Sequence, residues 1–98
     1  MNITDIRIRK LYHDAMIKAL VSITIDEDFA VHDIKVLKGG TGRLFVAMPS
    51  RKDDTGIYRD IAHPIDSESR QDLEAKILSV YYEHLENENL SGTAVMDI

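Results

Sequence analysis

Two adjacent cations, Arg51 and Lys52, follow Ser50 directly, and a third, Arg59, stands across a short polar loop. Guanidinium and ammonium groups at that spacing can grip consecutive phosphates, since each donates to phosphate oxygens and displaces condensed counterions. Tyr58, beside Arg59, offers a ring on which a base could stack, although a tyrosine on a strand edge also serves plain packing. Asp53, Asp54 and Asp60 lie among these cations and offset them, so charge alone favours a solvated loop. Arg70 and Gln71 open a segment of helical period, where unpaired backbone N–H groups attract anions. Glu68 and Asp72 stand close to them, and a salt-bridged helix surface with Arg70 paired to Glu74 is the competing expectation.

Other chemistries find no constellation. With no cysteine in the chain there are no disulfides, thiolate metal sites or thiol nucleophiles. His13, His32, His63 and His84 are scattered without metal-ligand spacing. His32 precedes Asp33, but neighbours on a strand point to opposite faces, which favours a structural role over an oriented base. Ser50 and Ser67 have no base in local register and suit a turn and a helix cap. The Gly39–Gly42 stretch matches neither a P-loop nor a dinucleotide fingerprint, and generic turn chemistry explains it. The expectation is a protein that is not an enzyme, with no metal, no cofactor and no small-molecule substrate.

The elements that must position these residues follow from periodicity. Asn2 to Lys10 alternates as a half-buried strand with Arg7 and Arg9 on one face. Ala15 to Ile25 alternates strictly, placing Ala15, Ile17, Ala19, Val21, Ile23 and Ile25 together, while Met16 and Leu20 make the opposite face too apolar to be wholly solvated. Asp26–Asp28 connects to a third strand, Phe29 to Leu37, and the glycine turn to a fourth, Leu44 to Met48, ended by Pro49. Ser50 to Gly56 reads as a loop, and Ile57 to Ala62 as a fifth strand at the sheet edge. Beyond Ile65, Leu73, Ile77, Val80 and Tyr81 fall at helical spacing, with Leu78, Tyr82 and Leu85 widening the stripe and Asp66 or Ser67 able to cap it. The helix is expected to fray over Glu86–Asn89. The spacing therefore predicts an α+β fold, an antiparallel β-sheet of about five strands in meander order followed by one C-terminal amphipathic α-helix. Residues 1–90 form a single domain and 91–98 a flexible tail.

At 98 residues the chain is one domain's worth, and it folds as an ordinary globular protein with 44% hydrophobic and 30% charged residues. Such a domain buries only about 65% of its unfolded surface, so self-association would help it. No apolar run approaches the roughly 20 residues that span a bilayer, and the amino terminus lacks a signal-peptide core, which predicts a cytoplasmic protein without membrane insertion. The net charge of −5 is uneven: residues 1–60 hold ten Lys and Arg against nine Asp and Glu, residues 61–98 two against eight. The cations that could meet a polyanion sit in the first part.

Three blocks in order carry a family resemblance: Phe29-Ala30-Val31-His32-Asp33-Ile34, Phe45-Val46-Ala47-Met48-Pro49-Ser50 and Arg59-Asp60-Ile61-Ala62-His63-Pro64-Ile65. Over Ile3 to about Tyr82 the chain resembles the stage V sporulation protein G (SpoVG) family of bacterial regulators. The resemblance implies an antiparallel sheet with a carboxy-terminal helix, a homodimer, and control of sporulation or septation with site-preferring DNA and RNA binding. The family's basic loop, Ser then Lys-Arg and later Phe-Arg-Asp, corresponds to Ser50, Arg51, Lys52 and Tyr58, Arg59, Asp60. Its helix start, Asn-Ser then Arg, corresponds to Asp66, Ser67 and Arg70. The candidate nucleic-acid-binding residues are thus Arg51, Lys52, Arg59, Ser67, Arg70 and Gln71. Asp53, Asp54 and Asp66 depart from the family pattern, and each added carboxylate repels phosphate, which predicts weaker affinity in this member. The alternative expectation is a protein-interaction module of the division machinery, using the apolar sheet face and the acidic helix without nucleic-acid binding.

Overall fold

Four strands, β1 (Ile3–Leu11), β2 (Ile17–Ile25), β3 (Phe29–Lys38) and β4 (Leu44–Ala47), hydrogen-bond in chain order as one antiparallel sheet. The structure is a computed structural model that describes the backbone of residues 1–96 and the side chains of residues 1–88. In β1, Ile3 pairs with Ile25, Ile6 with Ile23, Ile8 with Val21 and Leu11 with Ala19. Ile3 and Ile6, like Ile8 and Leu11, are three positions apart, which strict alternation would send to opposite faces. Register shifts between Ile3 and Asp5 and between Ile8 and Lys10 insert one extra residue each and return all four to the core face. A further shift lies between Val21 and Ile23, where β3 passes through Asp33 in the left-handed region at φ 63°. That bulge lets Val31 and Ile34 share the core face, and aspartate tolerates the conformation better than a branched residue.

The turns follow from local chemistry. Asp26 and Glu27 connect β2 to β3 with φ of 51° and 64°, and the Asp28 N–H donates to the Ile25 carbonyl at 3.0 Å. Positive φ at both central residues is the backbone twist that suits a tight hairpin, and Asp28 completes the three-residue connection to Phe29. The start of β1 supports it: the Asn2 carbonyl accepts from the Asp26 N–H at 2.8 Å, and Thr4 Oγ1 from the Glu27 N–H at 3.0 Å. Between β3 and β4 the glycine turn closes with Gly42 at φ 86°.

The helix α1 (Ser67–Met96) crosses the sheet and touches β1 and β4. Asp66 caps it, its carboxylate accepting from the Ser69 N–H at 2.7 Å and the Ser69 hydroxyl at 3.2 Å. Leu73, Ile77 and Tyr81 bury against Ala19, Val21, Ile23, Ile34, Val36, Val46 and Met48, with Leu78 and Leu85 packed at the margin. The stripe is narrower than the sequence suggests, because Tyr82 turns outward and is 55% exposed. The helix continues past the fraying expected at Glu86–Asn89. The flexible tail expected over 91–98 lies outside the residues described in full.

One expectation is corrected. Ser50 to Gly56 is not all loop, and the fifth strand does not join the sheet edge: β5 (Ser50–Lys52) and β6 (Tyr58–Asp60) pair with each other as a separate two-stranded ribbon. Pro49 offers no N–H to continue the ladder against β3, so the chain leaves the sheet there. The ribbon's base is tied down where the Ile61 N–H donates to the Pro49 carbonyl at 2.7 Å.

Candidate nucleic-acid interface

The register of the ribbon decides what the basic residues can do together. Arg51 lies directly opposite Arg59, and Lys52 opposite Tyr58. Strand alternation puts the two arginines on one side and the Lys52–Tyr58 pair on the other. The Lys52 ammonium stands 5.7 Å from the centre of the Tyr58 ring, within cation–π range, so a cation and a stacking platform share that side. Like charges placed directly across a ladder destabilise it. Asp53 answers this: its Oδ2 accepts from Arg59 Nε at 2.6 Å. The same carboxylate takes the Thr55 N–H at 2.8 Å, the Thr55 hydroxyl at 2.6 Å and the Ile57 N–H at 3.1 Å. These bonds, the Thr55 hydroxyl foremost and Arg59 next, hold the Asp53 carboxyl well below the usual carboxylate range. Gly56, at φ 85°, completes the turn by donating to the Asp53 carbonyl at 3.0 Å.

Arg70 joins the ribbon through a different partner than either sequence expectation named. Its Nη2 lies 3.4 Å from Asp60 Oδ2, so the helix start is bridged to β6 and Glu74 is not the partner. The Asp72–Lys76 pair at 2.9 Å, one helical turn apart, supplies the salt-bridged surface instead. Gln71 is exposed on the first turn. Ser67, also exposed, lines an open cleft with Met1, Asp66, Glu68, Ser69 and Asp72, a setting rich in carboxylate. The structure therefore gathers Arg51, Lys52, Arg59 and Arg70 around the ribbon and sets Ser67 beside carboxylates. Asp53, Asp54 and Asp60 line the ribbon depression with Arg51, Lys52 and Arg59.

Two polar links escaped the reading of the sequence. Ser22 is buried on the face away from the helix, where its hydroxyl lies 2.8 Å from His32 Nδ1 and accepts from Arg9 Nε at 3.1 Å. Arg9 donates to the Ser22 hydroxyl, and the imidazole tautomer sets the direction of the Ser22–His32 bond, so the three side chains lace β1, β2 and β3 together. His32 thus engages Ser22, not the neighbouring Asp33. His13 Nε2 meets Glu88 at 3.3 Å, joining the β1–β2 turn to the helix. Only the alternation of β2 with the bulged register of β1 and β3 brings Arg9, Ser22 and His32 into reach, and neither bulge has a glycine to announce it. Among the described residues no group of three His, Asp or Glu side chains could hold a metal ion.

Fold and site together define a small α+β protein with a four-stranded meander, one covering helix and a cation-bearing β-ribbon. The family model for SpoVG matches residues 1–83, and the chain belongs to that family. It is 55% identical over 83 residues to a protein of Staphylococcus saprophyticus named "Putative septation protein SpoVG", covering 85% of this chain and 81% of that one. A protein of the same name from Agathobacter rectalis is 58% identical over 87 residues, 89% of this chain and 99% of its own length. One from Clostridium novyi is 54% identical over 92 residues, covering 94% and 90%.

Proposed function

We propose that the chain is a homodimeric, non-enzymatic regulator that binds DNA or RNA through the β5–β6 ribbon and contributes to control of septation or sporulation and of gene expression in the cytoplasm. The observation that carries this reading is the ribbon itself, with Arg51 and Arg59 side by side and Lys52 over Tyr58 behind them. A two-stranded ribbon has the width to enter a major groove, and paired arginines suit phosphates or guanine edges. On a single strand, Tyr58 supplies a stacking surface. The septation name of the relatives supports the cellular role. No helix among the described residues is long and apolar enough to cross a membrane, which is compatible with a cytoplasmic regulator.

The homodimer draws on the sheet face away from the helix, where Leu20 and Leu37 are half-buried and Phe45 is partly exposed; Met16, expected on that face, lies in the bend ahead of β2. Binding of labelled single-stranded and duplex pools at low ionic strength tests the nucleic-acid reading: binding that weakens with salt supports it, and its absence refutes it. A second reading has its own observation. Ile65 is 92% exposed, and Phe29 and Ile61 are largely so, exposed apolar side chains that suit a protein partner. If neither pool binds, the interaction module of the division machinery takes first place, and a pull-down from extract is its first test.

A further inference from the structure

The Asp53 carboxylate divides its work between its two oxygens. Oδ1 accepts all three bonds that the Asp53 side chain makes within the turn, from the Thr55 N–H, the Thr55 hydroxyl and the Ile57 N–H. Oδ2 accepts only from Arg59 Nε, at 2.6 Å. Because the contact is made through Nε, the two terminal nitrogens of the guanidinium fork are left without a carboxylate among the described residues, and the Arg59 side chain stays 69% exposed. Arg59 is therefore held at its inner nitrogen and presented at its outer ones.

We propose that Asp53, a carboxylate set among phosphate-binding cations, is a positioning residue that holds Arg59 ready for a nucleic-acid phosphate or base edge. The inference rests on the nucleic-acid reading of the ribbon and reverses what charge alone predicts for this residue. A free arginine loses rotamer freedom when it binds, whereas one already clasped has lost it during folding. Like charge across the ladder makes the clasp more valuable, since an unanchored Arg59 swings away from Arg51.

Asp53→Asn separates the two tasks, because an asparagine keeps one oxygen for the turn and offers an amide nitrogen where Arg59 needs an acceptor. Arg59→Lys is the companion: it keeps the charge and the turn but removes Nε. Binding of a labelled oligonucleotide pool is measured for the wild type, both single variants and the double variant, with melting curves for each. The expected result is a loss of ~3- to 10-fold in affinity for Asp53→Asn, about the cost of ordering one rotamer-rich side chain. A similar loss is expected for Arg59→Lys, with little further loss in the double variant, the mark of one shared interaction. A nitrogen-15 spectrum should show the Arg59 Nε–H protected from exchange in the wild type and not in Asp53→Asn, a signature that a purely turn-forming Asp53 would leave unchanged. Equal or tighter binding by Asp53→Asn with Arg59 in place overturns the inference and restores simple repulsion. If Asp53→Asn melts early, Arg59→Lys carries the test alone, and wild-type affinity there overturns the inference. A wild type that binds no pool defeats the nucleic-acid reading itself, and the inference falls with it.

Discussion

Two aspartates organise the parts of the molecule that face the proposed ligand. Asp66 closes the first turn of α1 and Asp53 closes the ribbon turn, and hydrogen bonds to Ser69 and to Thr55 and Arg59 hold both carboxyls below their ordinary value of 3.8. A carboxyl depressed on folding adds stability that is complete above the unfolded value and is lost as pH falls through the folded one. The melting temperature should therefore stay level for these two groups above about pH 5 and decline progressively below 3.8, with the Asp53 contribution lost last. Thermal melts in an acid series check this: Asp66→Ala should melt lower at neutral pH and lose part of the acid decline, and an unchanged acid limb would contradict the assignment. The capping role was legible in the sequence, where Asp66 and Ser67 precede a helical period. The role of Asp53 was not. As a formal charge it reads as a phosphate repellent, and only the ribbon register shows it engaged by a turn and an arginine.

At the scale of elements, apolar period set the outline: β3, β4 and the helix lie close to where alternation and helical spacing place them, while β2 starts at Ile17 instead of Ala15, and a bulge before Ala19 pairs Ile17 with Leu37 on the face away from the helix. The ribbon was not legible because Ser50–Lys52 is polar on both faces, and a strand with no buried face leaves no alternation to read. The bulges were equally silent, since they show only as apolar residues three apart within a strand. The β2–β3 turn carries a testable strain. Glu27 sits at φ 64°, a conformation that costs a residue with a Cβ about 1 kcal/mol or more and costs glycine nothing. Glu27→Gly should stabilise the protein by about 0.5–1 kcal/mol, after the loss of unfolded-state entropy to glycine is counted. Denaturant unfolding measures it, and a lower midpoint at unchanged slope would show that the side chain contributes more than the strain removes.

At the scale of the whole molecule, the helix covers one face of the sheet and leaves Leu20, Leu37 and Phe45 on the other. A domain of this size has a small core, and the uncovered face is the surface by which two copies would enlarge it. Light scattering at micromolar concentration should give twice the chain mass of 11.1 kDa, and Phe45→Glu should shift the population to monomer without unfolding it. A wild-type monomer would remove the dimer from the account. The nucleic-acid role came from family resemblance, since the formal charge of the loop argues against binding on its own, whereas self-association was already suggested by the small core and by Leu20 on the second sheet face. The central claim is that the ribbon cations meet phosphates, and a salt series tests it most directly. The logarithm of the affinity for a duplex pool should fall linearly with the logarithm of salt concentration, by about 0.9 per phosphate neutralised. Replacing Arg51 and Lys52 together with alanine should flatten that slope by roughly two units while the melting curve stays in place. A slope identical in the wild type and in the double variant would contradict the account.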